Sequence, residues 1–247
     1  ILYKAINRCR MVNKRMNYRE AREFLEGCSR YAGEELSLGP LTEMLHRLGD
    51  PQDQLSLVHI AGTNGKGSTL AFISSVLQEA GYRVGLYTSP FINRFNERMQ
   101  VNHQPIPDEE LAALTEYVRP HADAMADSPT EFELITALAM VWFARQKCDI
   151  VVLEVGMGGE LDSTNIIDAP EAAVIAAMGM DHVKELGPTM ADIARAKAGI
   201  IKEGGRVVSY GGNPEADEVI AAVCRSRNAS LRQPDFSAIV PGDFGLE

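Results

Sequence analysis

Two kinds of run alternate along this chain. Short continuous apolar runs, at Leu57–Ala61, Arg83–Tyr87, Ile150–Val155, Ala172–Met178 and Arg206–Tyr210, read as strands buried on both faces. Longer stretches between them carry apolar residues three and four positions apart. Asn17–Leu25 and Pro40–Leu48 read as helices, the second with Leu41, Met44, Leu45 and Leu48 on one face and Gly49 and Pro51 as its stop. Ser68–Ala80 sets Leu70, Ile73, Val76, Leu77 and Ala80 at helical spacing before Gly81. Another helix opens at Pro107–Glu110, where a proline and three acids suit an N-terminus. Glu131–Arg145 is apolar enough to be a buried helix, Thr189–Ala198 and Pro214–Arg227 are helical, and Met99–Val101 reads as a short strand. No internal repeat or low-complexity segment interrupts the series.

Strands alternating with helices predict an α/β fold, a mostly parallel sheet covered by helices on both faces. Ligands of such sheets bind beyond the carboxyl ends of the strands. The polar clusters fall there: Gly62–Ser68, Thr88–Ser89, Glu154–Asn165 and Asp181–His182 each follow a strand.

The first cluster is the most informative. An apolar strand runs into Gly62-Thr63-Asn64-Gly65-Lys66-Gly67-Ser68, and a helix follows. Glycines let backbone N–H groups converge on an anion, lysine adds a mobile positive charge, and the helix aims its positive dipole end at the same point. The spacing is not that of the Walker A loop, since only Thr63 and Asn64 separate Gly62 from Gly65, and Gly67 sits between Lys66 and Ser68. The order of parts still favours a phosphate cradle over a plain glycine turn with a surface lysine.

Composition narrows the picture. The 247 residues allow one large domain or two small ones, and 45% apolar content is ordinary for a globular core. A net charge of −10 argues against a nucleic-acid partner held by phosphate contacts. Cys9, Cys28, Cys148 and Cys224 are scattered without a C-x-x-C pair, which favours free thiols in a reducing cytoplasm. No apolar run approaches the ~20 residues of a membrane span. The basic stretch Ile1–Met16 lacks the apolar core of a signal peptide and reads as an N-terminal extension, with residues 17–247 as the nucleotide-binding domain.

Single residues leave alternatives open. Glu154, inside an apolar strand, is either a strand-end acid bonded to backbone N–H groups or a Mg²⁺ ligand. Ser89 and Ser68 can offer hydroxyl oxygens to a cation or merely cap a turn. His182 alone reads as a satisfied loop histidine, and Lys197 as a lysine meeting a helix dipole. Gly156-Met157-Gly158-Gly159 lacks the G-x-G-x-x-G spacing, so a nicotinamide site is rejected.

The motifs together resemble the folylpolyglutamate synthase and dihydrofolate synthase family, within the Mur ligase superfamily. Ile60–Ser68 is similar to its phosphate loop, Thr88-Ser89-Pro90 to its T-S-P-H, and Arg94–Arg98 to its R-F-N-E-R. Phe132-Glu133, Glu154-Val155-Gly156, Asp162–Asn165, Asp181-His182 and Lys197–Ile200 also resemble family segments. The resemblance implies a P-loop ATPase domain of an ATP-dependent ligase. Its γ-phosphate would pass to a carboxylate of dihydropteroate or a folate, and L-glutamate would attack the acyl phosphate. It implies ATP contacts from Gly62, Thr63, Asn64, Gly65, Lys66, Gly67 and Ser68, and catalytic roles for Lys66, His182 and Lys197. Ser89 and Glu154 would hold one Mg²⁺. His182 and a carbamylated Lys197 would place a second. Arg94, Arg98, Phe132 and Asp162 would contact substrate.

Phe91 and Glu160 depart from the family's usual His and basic residue, which bears on substrate preference. Nothing after Arg206 resembles the family's G-x-H-Q-x-x-N segment or its glutamate-binding domain. The expectation is therefore an ATPase portion with weak or absent turnover by itself, as a cytoplasmic monomer with no nucleic-acid or membrane partner. The competing readings are another Mur-type amide ligase, or a nucleotide-binding module without turnover.

Overall fold

A computed structural model describes residues 15–29 and 37–236. Cys9 and most of the expected N-terminal extension lie outside the described residues. The helices are α1 (Tyr18–Glu26), α2 (Gly39–Arg47), α3 (Lys66–Glu79), α4 (Asp108–Asp123), α5 (Glu131–Arg145), α6 (Val183–Leu186), α7 (Met190–Ala198) and α8 (Pro214–Ser226). The strands are β1 (Leu57–Ala61), β2 (Val84–Tyr87), β3 (Met99–Val101), β4 (Gln104–Pro105), β5 (Ile150–Glu154), β6 (Ala172–Ile175), β7 (Arg206–Ser209) and β8 (Ser230–Arg232).

One sheet joins them in the order β4-β3-β2-β5-β1-β6-β7-β8. The neighbours from β2 to β8 pair in parallel, and β3 and β4 add an antiparallel edge. Strand alternation divides the apolar side chains between two faces. Val58, Ile60, Val84, Leu86 and Val152 meet Leu70, Ile73 and Leu77 of α3. On the opposite face Tyr87, Val151 and Leu153 pack in a core with α2, α4 and the almost wholly buried α5. Ala61, Ala173, Ile175 and Val207 pack there against Ala198, Ile200 and Ile201 and against Ile220 and Cys224 of α8. Each fully buried Leu or Ile contributes about 1.5–3 kcal/mol, so the sheet is held from both sides.

Differences from the sequence-based expectation are local. The apolar run after Ala172 leaves the sheet at Ile175 rather than continuing to Met178, because the Ala177 carbonyl turns to accept the N–H groups of Thr63 and Asn64 at 2.9 and 3.1 Å. Helix α3 begins at Lys66, ahead of Ser68, because Gly65 takes the left-handed conformation (φ 79°) as its N-cap. Strands β4 and β8 are short and largely exposed, so they carry no apolar signal. Cys28, Cys148 and Cys224 are free thiols. Among the described residues no helix is long and apolar enough to cross a membrane.

Candidate active site

Parallel strands deliver their carboxyl ends to one edge, and β1, β5 and β6 are adjacent at the sheet centre. The loops leaving them therefore converge. The β1 loop rests on the β6 exit. Gly62 sits at φ 148°, and a side-chain carbon there would lie 2.8 Å from Ala176 Cβ, so only glycine permits the contact. Thr63 Oγ1 donates to the Gly179 carbonyl at 2.9 Å. Beyond this anchor, Gly65 and Gly67 have nothing within 4 Å of an added side-chain carbon, and the first N–H groups of α3 open there.

Two ammonium groups share one acceptor in this loop. Lys66 Nζ and Lys197 Nζ each donate to the Gly62 carbonyl at 3.1 Å. Lys197, at the end of α7, is 2% exposed. Burial, then the Lys66 charge, pushes its pKa down to about 8, against an opposing pull from Asp181 and Asp162. Gly62, Lys66, Gly156, Met157, Asp181, His182 and Lys197 line one small cleft. His182 takes a left-handed backbone (φ 47°) at the start of α6, with its Nε2 3.6 Å from Asp181 Oδ2.

The β5 end supplies the acid. Glu154 is 6% exposed, and burial raises its pKa, while the Ser89 N–H and the Lys66 charge lower it. Its Oε2 accepts the Ser89 N–H at 3.2 Å, so Ser89 and Glu154 do meet. The Ser89–Pro90 peptide bond is cis. A buried carboxylate with this little hydrogen bonding, beside a serine and a lysine loop, fits a divalent cation. Among the described residues no group of three or more His, Cys, Asp and Glu side chains is assembled for a metal. A Mg²⁺ ion there would draw on Ser89, Glu154 and phosphate oxygens, which suits an ion that favours oxygen ligands and keeps part of its hydration.

The remaining substrate candidates separate into two groups. Phe132 and Asp162 flank Gly156: a side-chain carbon on that glycine would lie 2.7 Å from the Phe132 ring and 3.2 Å from Asp162 Oδ2. Arg94 instead bonds Asp108 at 3.0 Å. In the same segment Glu97 accepts the N–H groups of Ile92, Asn93 and Arg94 at 2.9, 3.1 and 3.0 Å, and Asn96 donates to Ile106 and Asp108. Much of this motif therefore shapes the loop. Arg98 reaches the site, donating to Ser89 Oγ at 3.2 Å with its guanidinium over Phe91 at 5.4 Å. Phe91 also meets Phe95 edge-on at 6.1 Å. It thus fills an aromatic and cationic cluster that a histidine would fill differently.

Gly199 is the C-cap of α7, and the sequence offers it only within a segment that resembles the family. It is also a close approach, since a side-chain carbon there would lie 2.3 Å from Glu160 Cβ, which lets the glycine turn pack on the end of α7 beside Lys197. Glu154 attracts attention as a polar residue in an apolar strand. His59 carries the same signal one strand away and passes unnoticed.

A model of the Mur ligase middle domain matches residues 60–229. The chain belongs to the Mur ligase middle-domain family. This Mur ligase domain is 48% identical over 208 residues to a dihydrofolate synthase/folylpolyglutamate synthase of Bacillus subtilis, covering 82% of this chain and 48% of that protein. It is 44% identical over 231 residues to a folylpolyglutamate synthase of Lacticaseibacillus casei, covering 92% of this chain and 54% of that one. The apo form of L. casei FPGS matches with a TM-score of 0.86 at 41% identity, over 90% of this chain and 55% of that chain. An FPGS–AMPPCP–folate complex matches with a TM-score of 0.86 at 42% identity, over 90% and 55% of the two chains. The Mur ligase domain spans about half the length of the curated relatives it matches.

Proposed function

We propose that this Mur ligase domain binds ATP with Mg²⁺ and serves a ligase that joins L-glutamate to dihydropteroate or to a folate's glutamate tail. The single observation that supports this most is the convergence on Gly62. An anion-ready loop carries two lysines on one carbonyl, and a buried acid with its serine stands beside it. Family membership and the relatives' names point the same way.

In this reading the Gly62–Ser68 backbone and the N-terminus of α3 hold the triphosphate. Lys66 exchanges its bond to Gly62 for phosphate oxygens and offsets the charge that grows during transfer to the acceptor carboxylate. Ser89 and Glu154 would hold a Mg²⁺ that would supply further charge neutralisation. The γ-phosphate bond to ADP breaks as a bond to the acceptor carboxylate oxygen forms. The glutamate amine then displaces phosphate and loses a proton, giving the amide. Phe132 and Asp162 border the acceptor, with Arg98 beside Ser89 as the cation facing its carboxylates and Arg94 as an outer contact.

Lys197 is costly as a buried ammonium next to Lys66. As a neutral amine it can attack CO₂, form an N–C bond and lose a proton, leaving a carboxylate on a long arm. With His182 this carbamate would hold a second Mg²⁺. The free thiols suit a cytoplasmic protein, and a monomer is the expected state.

Calorimetry with ATP and Mg²⁺ tests the nucleotide half: binding heat that disappears in Lys66→Ala supports it, and unchanged heat refutes it. Incorporation of labelled glutamate by the full-length protein, with dihydropteroate or tetrahydrofolate, tests the reaction. Incorporation with neither acceptor removes the folate assignment. A ¹³C signal from ¹³CO₂ that is lost in Lys197→Ala would identify the carbamate.

A further inference from the structure

Behind Asp162 the sheet centre holds two polar side chains, His59 and Thr164, that the mechanism above does not use. His59 lies on β1, 0% exposed, between β5 and β6. Burial, and then the Lys202 charge, pushes its pKa down to about 3, so the ring is neutral. A neutral imidazole carries one N–H. Its Nε2 lies 2.8 Å from Thr164 Oγ1. Its Nδ1 has no hydrogen-bond partner among the described residues. Thr164 Oγ1 also bonds Asp162 Oδ1, and Thr164 is 0% exposed.

The hydroxyl has one proton and two neighbours, so its direction decides the chain. Asp162 Oδ1 already accepts the Thr164 N–H at 2.9 Å, and Oδ2 accepts the Met157 N–H at 2.8 Å. Burial raises the Asp162 pKa, while the Thr164 hydroxyl and the N–H groups of Met157, Thr164 and Gly156 lower it; with both oxygens already accepting N–H groups, the hydroxyl bond completes the set. Thr164 must then accept from His59, which places the ring proton on Nε2 and leaves Nδ1 bare. An apolar residue would avoid that unpaired buried acceptor, so the gain from a histidine here lies in the Nε2–H.

We propose that His59 is a positioning residue: through Thr164 it fixes the Asp162 carboxylate, and with it the Gly156–Met157 backbone that borders the acceptor side of the cleft. The geometry makes this coupling tight. Asp162 Oδ2 and the Phe132 ring close on Gly156 together. A rotated carboxylate would release the Met157 N–H and move the turn on which the Phe132 ring closes. The kinetic consequence rests on the ligase reading above, whereas the hydrogen-bond order does not.

The test begins with the wild-type domain labelled at its histidine nitrogens. NMR is expected to show His59 as the Nε2–H tautomer. The Nδ1–H tautomer overturns the proposal, because Thr164 would then donate to His59 and not to Asp162. In the full-length protein, Thr164→Val and His59→Leu should each raise the acceptor KM about tenfold, the loss of one buried hydrogen bond, and leave the ATP KM unchanged. The double variant should be no worse than either single one, and His59→Gln, which restores an N–H near the Nε2 position, should recover the KM. An unchanged acceptor KM, or a parallel loss of ATP affinity, overturns it. Should His59→Leu fail to fold, the tautomer and the comparison of Thr164→Ser with Thr164→Val decide between the two outcomes. A full-length wild type that ligates neither acceptor refutes the ligase reading, and the tautomer then decides the positioning chain by itself.

Discussion

Glycines serve opposite ends in the two loops that frame the cleft. In the β1 loop, Gly65 and Gly67 face open space, with no atom within 4 Å of an added side-chain carbon. In the β5 loop, Gly156 and Gly159 would meet atoms at 2.7 and 2.8 Å, and Gly199 opposite them at 2.3 Å. The first set keeps backbone clear for a ligand. The second lets two pieces of the protein approach. The same residue type therefore leaves open backbone at Gly65 and Gly67 and makes a packing contact at Gly156, Gly159 and Gly199, as it does at Gly62 where the β1 loop meets Ala176.

The largest effect that separates the two sets is expected at Gly199. Gly199→Ala drives a methyl into Glu160 and should cost about 3 kcal/mol, read as a lowered urea midpoint. A loss below about 0.5 kcal/mol would remove the packing account. Lys66→Ala, on the open side, should weaken ATP binding by about one to two orders of magnitude, the worth of a charged hydrogen bond, and leave the thermal midpoint in place.

The buried charges sharpen the contrast through pH. Lys197 has a folded pKa of about 8, below its ordinary value. The unfolded chain keeps that proton to higher pH, so this group makes the fold more stable as pH rises through about 8 towards the ordinary lysine range. Glu154 carries the opposite sign. Its raised pKa means the fold holds a proton the unfolded chain has lost. Its contribution is full below the ordinary carboxylate range and lost as pH rises through the folded value. Glu154→Gln should therefore raise the neutral-pH thermal midpoint by about 2–4 °C, as about 1 kcal/mol does in a domain this size, and abolish any response to Mg²⁺. A lower midpoint would mean that Glu154 is satisfied without a cation. The smallest effect is Gly67→Ala. It should change stability by no more than about 0.5 kcal/mol, in either direction, while reducing ATP affinity.

Most of the fold was legible because its signals are local. Continuous apolar runs announced β1, β2, β5, β6 and β7, and helical spacing announced α1, α2, α3, α5, α7 and α8, to within a few residues. The glycine-lysine loop was legible for the same reason, since its order of glycine, lysine and helix is a sequence of neighbours. The resemblance pairs Ser89 with Glu154 as holders of one Mg²⁺; what the fold adds is the Ser89 N–H donating to Glu154 at 3.2 Å across 65 residues. Arg94 was named beside Arg98, yet its bond to Asp108 spans 14 residues and leaves no periodic trace.

By itself the sequence determined which segments become strands and helices, the anion-ready loop and the resemblance that named the family, because backbone preference and apolar period act over a few residues. Tertiary structure alone decided that Lys66 and Lys197, 131 positions apart by their numbering, share one carbonyl, and that His59 meets Thr164 across 105 residues. It also decided that Gly199 closes on Glu160. Such meetings depend on the order in which parallel strands line up, and strand order is a global choice made by burial, with no mark at the residues it brings together.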